Sequence, residues 1–587
     1  MKTAFTIFTV KILGAMIVGA LFPIAGRAQE KSGKSYETAN IKRPTATAPQ
    51  FPSPVTFTDA TALTKIDFRH QASPTSVKYL PETMGGGAAL IDYDNDGRLD
   101  VFLTNGAEIS ENMPKNKLPE KMGAKYWNRL YRQKADGTFE DVTEKAGLKG
   151  EGYAFGAAVG DFNRDGFSDL LVTRYGGATL YRNNGDGTFA DVTGKTNARL
   201  DGWATSAGFF DYDRDGRLDI FVTRYAVWDF ELGKIHCGDL RPGYRAYCHP
   251  DNFKAVSNVL LHQKPDGTFE DASEKSKIAA SKGKGLGVAF ADFDDDGWTD
   301  VFVANDNSAQ QLFRNLHDGT FEESALAAGV AYDDRGRQFA GMGIDAADYD
   351  GDGRQDVIIT ALSNETYPLY RNAGELVFDF VTQSSGVAQI TILGADWGIK
   401  FTDADNDGRR DVFVAQCHVL DTIEKTTSFL KYKQPPLLMR NTEKGFQNVS
   451  LAAGAAFEKD LAARGLAVGD LDNDGDADVV IAQNDGAAVI LKNNGTKNNW
   501  LGFDLRGGTK SASRGEGAKI VVTDASGKKQ TFETSGAGSY LSANDVRVVA
   551  GLGASNSVKA VEIRWSSGKT QRLENLEVNR YHIIEEK

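Results

Sequence analysis

The residues with the most chemistry in this chain are aspartates, spaced so that they converge. Seven nine-residue segments carry Asp or Asn at positions 1, 3, 5 and 9, Gly at position 6, and an apolar run immediately afterwards. The candidate ligands are Asp92, Asp94, Asp96 and Asp100 in the first copy, and Asp161, Asn163, Asp165 and Asp169 in the second. They are Asp211, Asp213, Asp215 and Asp219 in the third, and Asp292, Asp294, Asp296 and Asp300 in the fourth. The last three copies supply Asp348, Asp350, Asp352 and Asp356; Asp403, Asp405, Asp407 and Asp411; and Asp470, Asp472, Asp474 and Asp478. Alternating carboxylates on one tight turn repel each other unless a cation cancels their charge. An all-oxygen set suits a hard ion with six to eight ligands, Ca²⁺ ahead of Mg²⁺, which sheds water reluctantly. Solvated acidic turns without metal are the alternative. Gly at position 6, such as Gly97, permits the sharp bend, and the backbone carbonyl at position 7 (Arg98) adds an oxygen. Apolar strands flank each loop, and no bidentate Glu stands at position 12, so up to seven structural ions are expected rather than a calmodulin-like switch. Copy two, with Asn163, has one charge fewer and should bind more weakly.

Other chemistry is sparse. The chain has no Gly-x-Ser-x-Gly elbow, no His-Glu-x-x-His and no P-loop, and so no catalytic residue is assigned. Gly283-Lys284-Gly285-Leu286-Gly287 is Gly-rich but enters an apolar strand. Cys237 and Cys248 lie close together in one insertion. They suit a disulfide, with free thiols or a zinc site including His236 and His249 as alternatives; the spacing is not that of a zinc finger. Cys417 reads as a small buried residue.

The elements that position the Asp loops follow one grammar. A Gly/Ala-rich strand enters each loop (Gly87-Ala88-Ala89-Leu90-Ile91), and a β-branched or aromatic strand leaves it (Val101-Phe102-Leu103). A third strand with a basic end follows (Leu130-Tyr131-Arg132), then an Asp-Gly turn and a strand opening on Phe139. Four short antiparallel strands per unit predict an all-β fold, a seven-bladed β-propeller over 55–496. The seventh unit lacks its Phe strand after Asn493-Asn494-Gly495. Phe57-Thr58-Asp59-Ala60-Thr61 at the other end matches Phe189-Ala190-Asp191-Val192-Thr193, so the N-terminal strand is expected to close the last blade.

The Asp loops then share one rim. The long connections 105–127, 226–257 and 416–435 lie on the opposite face, where Arg174, Tyr175, Arg224, Tyr225, Trp228, Tyr244, Arg245 and His418 are the candidate ligand-binding residues. A polar ring with aromatics and Arg suits a carbohydrate or protein ligand.

Residues 497–587 contain no Asp loop and alternate in short strands, predicting a separate small β domain. At the other end, Lys2 and Lys11 flank the apolar stretch Ile12–Ala25, followed by Gly26-Arg27-Ala28. This reads as a signal peptide over 1–28, an uncleaved anchor being the alternative, with a flexible linker over 29–54. Once the signal is removed no membrane span remains. The net charge of −13 resides in the loop carboxylates; outside them bases outnumber acids, without the basic stripe that nucleic acid needs.

The loops, with Phe155-Gly156-Ala157-Ala158-Val159-Gly160 before the second, resemble FG-GAP/VCBS repeats of the integrin α-subunit type. Asn499-Trp500-Leu501, Gly515-Glu516-Gly517-Ala518-Lys519, Gly551-Leu552-Gly553 and Trp565-Ser566-Ser567-Gly568 resemble the ASPIC/UnbV domain. The combination looks like the bacterial relatives of cartilage acidic protein. Departures are Ser513-Arg514 for Asn-Arg, Trp565-Ser566-Ser567-Gly568 for Trp-Pro-x-Gly, and Gln416-Cys417-His418 for Asn-Gly-His. The resemblance implies secretion to the periplasm, cell surface or medium, calcium binding and matrix-like interaction. The expected function is a secreted calcium-binding adhesion or scaffold module for a glycan or an extracellular or envelope protein. An extracytoplasmic enzyme acting on polysaccharide or another envelope substrate is the alternative.

Overall fold

The computed structural model describes residues 32–36 and 48–587; the segment read as a signal peptide lies outside them. Seven antiparallel sheets follow one another along the chain, as expected for the propeller: six have four strands, and the fourth adds the short strand Phe339–Ala340 beside its second strand. Blade one comprises Ala88–Ile91, Asp100–Leu103, Arg129–Gln133 and Phe139–Asp141. Blade seven comprises Ala463–Gly469, Asp478–Gln483, Val489–Asn493 and, from the far end of the chain, Phe57–Asp59. Phe57 is in register with Asn493 and Asp59 with Leu491. The inner strand of each blade touches that of the next, and Ala88–Ile91 touches Ala463–Gly469, so the ring is closed and no blade is left with a free inner edge.

Small residues on the inner strands are a steric requirement. A Cβ on Gly343 would sit 1.9 Å from the Trp397 carbonyl oxygen of the next blade, and one on Gly87 1.6 Å from the Leu541 oxygen. Larger apolar side chains lie between blades: Phe302, Ile358 and Val414 share one buried cluster, and Leu103, Val480 and Ile490 another.

Residues 497–587 fold into a sandwich of two sheets. One sheet holds Val548–Gly553, Asn499–Arg506 and Tyr581–Glu585. The other holds Lys529–Glu533, Lys519–Asp524, Val558–Arg564 and Thr570–Leu573. Leu501, Phe503, Ile520, Val522, Ile563 and Trp565 fill the space between them. This sandwich sits on the Asp-loop rim and sends residues 538–545 down the propeller axis. Gly538 N–H donates to the Val288 carbonyl (3.1 Å), Ser539 exchanges bonds with Ile344, and Leu541 accepts from Ala157 N–H (3.1 Å). Ala543 bonds Ala88 and Leu90, and Asp545 N–H donates to Val468 (3.1 Å). Ser206 Oγ accepts from Leu541 N–H (3.0 Å), while Tyr540 packs on Trp397 (4.9 Å between centroids). The plug therefore touches every blade and satisfies backbone groups that would otherwise face an empty channel.

The stretch expected to be a flexible linker is anchored where it is described. Gly33 N–H donates to the His236 carbonyl at 2.8 Å, Lys34 N–H to Asn252 Oδ1 at 2.7 Å, and Lys34 Nζ pairs with Asp251 at 2.5 Å. Residues 32–36 form a strap over the blade-three insertion.

Candidate functional site

Each Asp loop is built by its own carboxylates. In the first copy Asp92 accepts from Asp96 N–H and Gly97 N–H, both at 3.0 Å, and Asp96 accepts from Arg98 N–H at 3.1 Å. Asp100 is buried on the second strand. Its two oxygens accept from Tyr93 N–H (3.2 Å) and Gln133 N–H (2.8 Å), tying the loop to the third strand. The position-9 aspartate repeats this double bond in all seven copies. Two residues per loop adopt left-handed backbone. Gly at position 6 has φ from +81° to +95°, and position 4 has φ from +55° to +60° at Asn95, Arg164, Arg214, Asp295, Asn406 and Asn473, with Gly351 there in copy five.

These turns bring carboxylates together. One oxygen from each of Asp92, Asp94 and Asp96 lies within 4.8 Å of the others, as do those of Asp211, Asp213 and Asp215, of Asp292, Asp294 and Asp296, and of Asp348, Asp350 and Asp356. The basic end of the third strand offsets part of the charge: Arg132 reaches Asp94 and Arg314 reaches Asp294, each at 2.6 Å, while Arg440 meets Asp405 at 2.8 Å. In copy two, where position 3 is the neutral Asn163, Arg182 turns instead to Asn184 (2.9 Å).

The compensation is incomplete. Oδ1 of Asp94, of Asp213 and of Asp294 is buried without a hydrogen-bond partner. Burial, reinforced by neighbouring carboxylates, pushes Asp100 and Asp169 up to about 8 and Asp356 to about 9. The same causes raise Asp211 to about 8 and Asp403 to about 7. Orphaned oxygens on crowded, desolvated carboxyls are what a divalent cation would satisfy, and the loop donors fit one. Copy three differs in bringing His262 Nδ1 to within 3.0 Å of Asp219 Oδ1.

Two sets of residues missed by sequence reasoning connect the loops around the ring. The amide that follows the basic end of each third strand donates to the position-2 carbonyl of the preceding blade. Asn183 thus reaches Tyr93 (2.8 Å), Gln263 reaches Phe162 (2.9 Å) and Asn315 reaches Tyr212 (2.8 Å). Asn372, Asn441 and Asn493 continue the series, and Gln133 bonds Leu471 (2.9 Å) across the closure. The signal was present as Arg-Gln, Arg-Asn, His-Gln or Lys-Asn at matched positions. In addition, position 4 donates to the position-6 carbonyl of the next loop, as from Asn95 to Gly166 (2.9 Å) and from Asn473 to Gly97 (2.9 Å).

The sandwich covers this rim. Tyr581 OH donates to Asp470 Oδ2 (2.9 Å), Arg564 pairs with Asp292, and Glu533 accepts from Asp292 N–H (2.9 Å). Arg164 donates to the carbonyls of Gly508 (2.7 Å) and Ser511 (2.8 Å), and Thr496 to that of Asp405 (2.9 Å).

The insertion face departs from the expected ligand ring. Tyr175, Tyr225 and Trp228 are buried with Tyr79, Trp203 and Phe230 in an aromatic core, Trp203 and Trp228 lying 5.4 Å apart between centroids. The physical reason is that the insertion 226–257 folds back over the strand ends, and aromatic side chains gain most by leaving water. Arg174 pairs with Glu151 (2.8 Å), and Arg224 Nε donates to the Ser257 carbonyl (2.7 Å). Tyr244 lies beneath Arg241 (4.0 Å), and Arg245 donates to the carbonyl of Lys234 (3.0 Å). Cys237 and Cys248 form a disulfide inside this insertion, and Cys417 is buried.

His418 alone among the eight lines a cavity of about 270 Å³ at the mouth of the channel, with Tyr36, His249, Asp306, Arg337 and Glu365. Tyr225 OH donates to Asp306 Oδ2 at 2.6 Å, and Glu365 Oε2 accepts from Ala340 N–H (3.0 Å) and Leu362 N–H (3.1 Å). No helix among the described residues is long and apolar enough to cross a membrane.

A closed ring of blades, each bearing the same acidic turn, defines a repeat propeller with serial cation-type loops. The FG-GAP-like repeat pattern matches residues 92–172, 161–222, 252–303, 292–359 and 348–414, and the ASPIC and UnbV pattern matches 508–587. The chain belongs to the FG-GAP-like repeat family and carries an ASPIC and UnbV domain. It is similar to cartilage acidic protein 1 of Homo sapiens, 26% identical over 312 residues, covering 51% of this chain and 43% of that protein. The Mus musculus protein of the same name is 27% identical over 306 residues, covering 50% and 43%. The chain thus spans less than half the length of these curated relatives. Among solved structures, the BP39L lectin from Burkholderia pseudomallei aligns over 70% of this chain and 96% of its own, at 10% identity and TM-score 0.40. A Bacillus licheniformis rhamnogalacturonan lyase aligns over 75% of each chain at 12% identity and TM-score 0.35.

Proposed function

We propose that this protein is an exported, calcium-stabilised β-propeller that acts as a binding or adhesion module, engaging a glycan or an extracellular or envelope protein through its insertion face. The observation that carries this reading is the placement of the acidic loops. They lie against the sandwich, joined by hydrogen bonds to neighbouring blades and to the C-terminal domain, so that an ion bound there ties parts of the fold together. Ca²⁺ in these loops neutralises carboxyls that crowd one another and cements the rim. The Asp and Asn residues at positions 1, 3, 5 and 9 are the ligands, with the carbonyl at position 7. The disulfide in the insertion is in keeping with an oxidising compartment.

The experiment is a thermal melt of the full chain during EGTA titration. Each site held at 100 times its dissociation constant adds about 2.7 kcal/mol, so removal of Ca²⁺ lowers the melting temperature and readdition restores it, with Mg²⁺ restoring less. A melting temperature indifferent to EGTA overturns the metal reading.

A further inference from the structure

The cavity at the channel mouth is assembled mostly from parts of the chain outside the repeated strands. The strap contributes Tyr36, the disulfide-bearing insertion His249, blade four Asp306, the connection to blade five Arg337, and blades five and six Glu365 and His418. Six unrelated segments supply polar groups to one small space, and those groups are held rigidly. His418 Nδ1 accepts from Leu420 N–H (3.0 Å) and His249 Nδ1 from Asp251 N–H (3.3 Å). Each ring nitrogen so occupied is an acceptor, so each Nε2 carries the hydrogen and is a donor. Burial keeps both rings neutral, His418 pushed down to about 3 and His249 to about 4.

Formal charge around the cavity is largely paired within the protein. Arg337 is held by Asp333 (2.7 Å), and Lys34 and Lys284 both meet Asp251, at 2.5 and 3.3 Å. Asp306 and Glu365 remain as acceptors, each fixed by the bonds already described. An anion would face two carboxyls. Tyr36 stands edge-on to His249 at 4.9 Å between centroids and offers its ring, its buried hydroxyl lying in the field of Asp306 and Glu365, and the buried Phe339 adds apolar surface. The volume of about 270 Å³ lies just below the usual range of about 300–1,000 Å³ for ligand sites, room for one ring and not for a chain. By contrast, the larger cleft of about 890 Å³ between the loops of blades four and five and the sandwich is walled by charged side chains such as Arg354, Lys529 and Arg572, without a comparable fixed set.

We propose that this cavity binds the terminal sugar residue of a neutral glycan, its hydroxyls accepting from the two histidine Nε2–H groups and donating to Asp306 and Glu365, with one ring face against Tyr36. Hydroxyls are the groups that both donate and accept, as the alternation of fixed donors and acceptors requires. The inference rests on the binding reading above and narrows it to one site and one ligand class.

The test uses the full calcium-loaded chain on an array of neutral and acidic glycans, with free glucose, galactose and N-acetylglucosamine as competitors. Expected are retention of neutral glycans, competition by a free monosaccharide, and affinity losses of at least about tenfold in Tyr36→Ala and Glu365→Gln, each variant melting like the parent. Retention that both variants leave unchanged overturns the cavity assignment while the binding reading stands. Retention confined to acidic glycans overturns the ligand class. If no glycan is retained and no monosaccharide shifts the melting temperature, the inference fails outright, whereas the EGTA melt still decides the calcium rim on its own.

Discussion

The two faces of the ring are built on opposite plans. On the Asp-loop rim the same bonds recur in every blade: position 9 to loop position 2 and to the third strand, and the third-strand amide to the neighbouring loop. On the insertion face almost nothing recurs. Long connections from blades one, three and six, the strap, and Tyr540 from the C-terminal domain meet in one aromatic core. Repetition gives one face redundancy, since the loss of one loop leaves six. Singularity gives the other face a unique shape, which is what recognition needs and what makes each of its residues harder to replace.

Breaking the connection between the faces should have the largest effect. Tyr540 is fully buried at the tip of the plug, with its hydroxyl donating to the Met84 carbonyl (3.1 Å). Tyr540→Ala is expected to cost about 3–5 kcal/mol in a denaturant titration, as large buried aromatics do when truncated. If the cost is below about 1 kcal/mol, the plug is not what joins the two faces.

Next is the disulfide, which staples only the insertion face. Replacing Cys237 and Cys248 by Ser should cost about 2–4 kcal/mol. Hydrogen exchange should report lost protection across 226–257, while the strands behind the Asp loops keep theirs.

Acidification should select the same face. His70 and His418 are buried and pushed down to about 3, by loss of solvent and then by the positive charges of Lys121 and Arg464 for His70 and of Arg464 for His418. The unfolded chain takes up protons near 6.5 while the folded one does not, so their contribution is complete above pH 6.5 and is lost as pH falls towards 3. By pH 5 each should have cost about 2 kcal/mol. Melts of the parent and of His70→Phe, compared from pH 7.5 to 5, measure the difference; equal slopes would contradict the assignment.

The smallest effect tests redundancy on the rim. Asn183→Ala leaves the Tyr93 carbonyl unpaired and should cost about 1–3 kcal/mol. It should do so without unfolding the ring, and the equivalent change at Asn315 should cost about the same.

Much of the rim was legible in the chain because its determinants are local. A carboxylate at alternate positions, a glycine at position 6 and an apolar strand on each side suffice to build one loop, and seven copies reveal the blade. The amide staples were equally visible, at Gln133, Asn183 and their counterparts. Their role is not written in the chain, because their partners are carbonyls, which carry no sequence signature. The insertion face could not be read in the same way. Tyr175, Tyr225 and Trp228 look alike on paper whether they greet a ligand or fill a core, and which they do depends on where residues 226–257 fold.

Local spacing in the chain was therefore enough for the repeat, the acidic turns, the insertions and the all-β character of the last ninety or so residues. Folding alone decided that the C-terminal sandwich covers the acidic rim, that Gly538–Asp545 fills the axis, and that His418 shares a cavity with Tyr36, nearly four hundred residues away in the chain. The division follows from the range of the forces. Turn geometry and strand alternation act over a few residues, whereas burial is a property of the surfaces that the whole ring brings together.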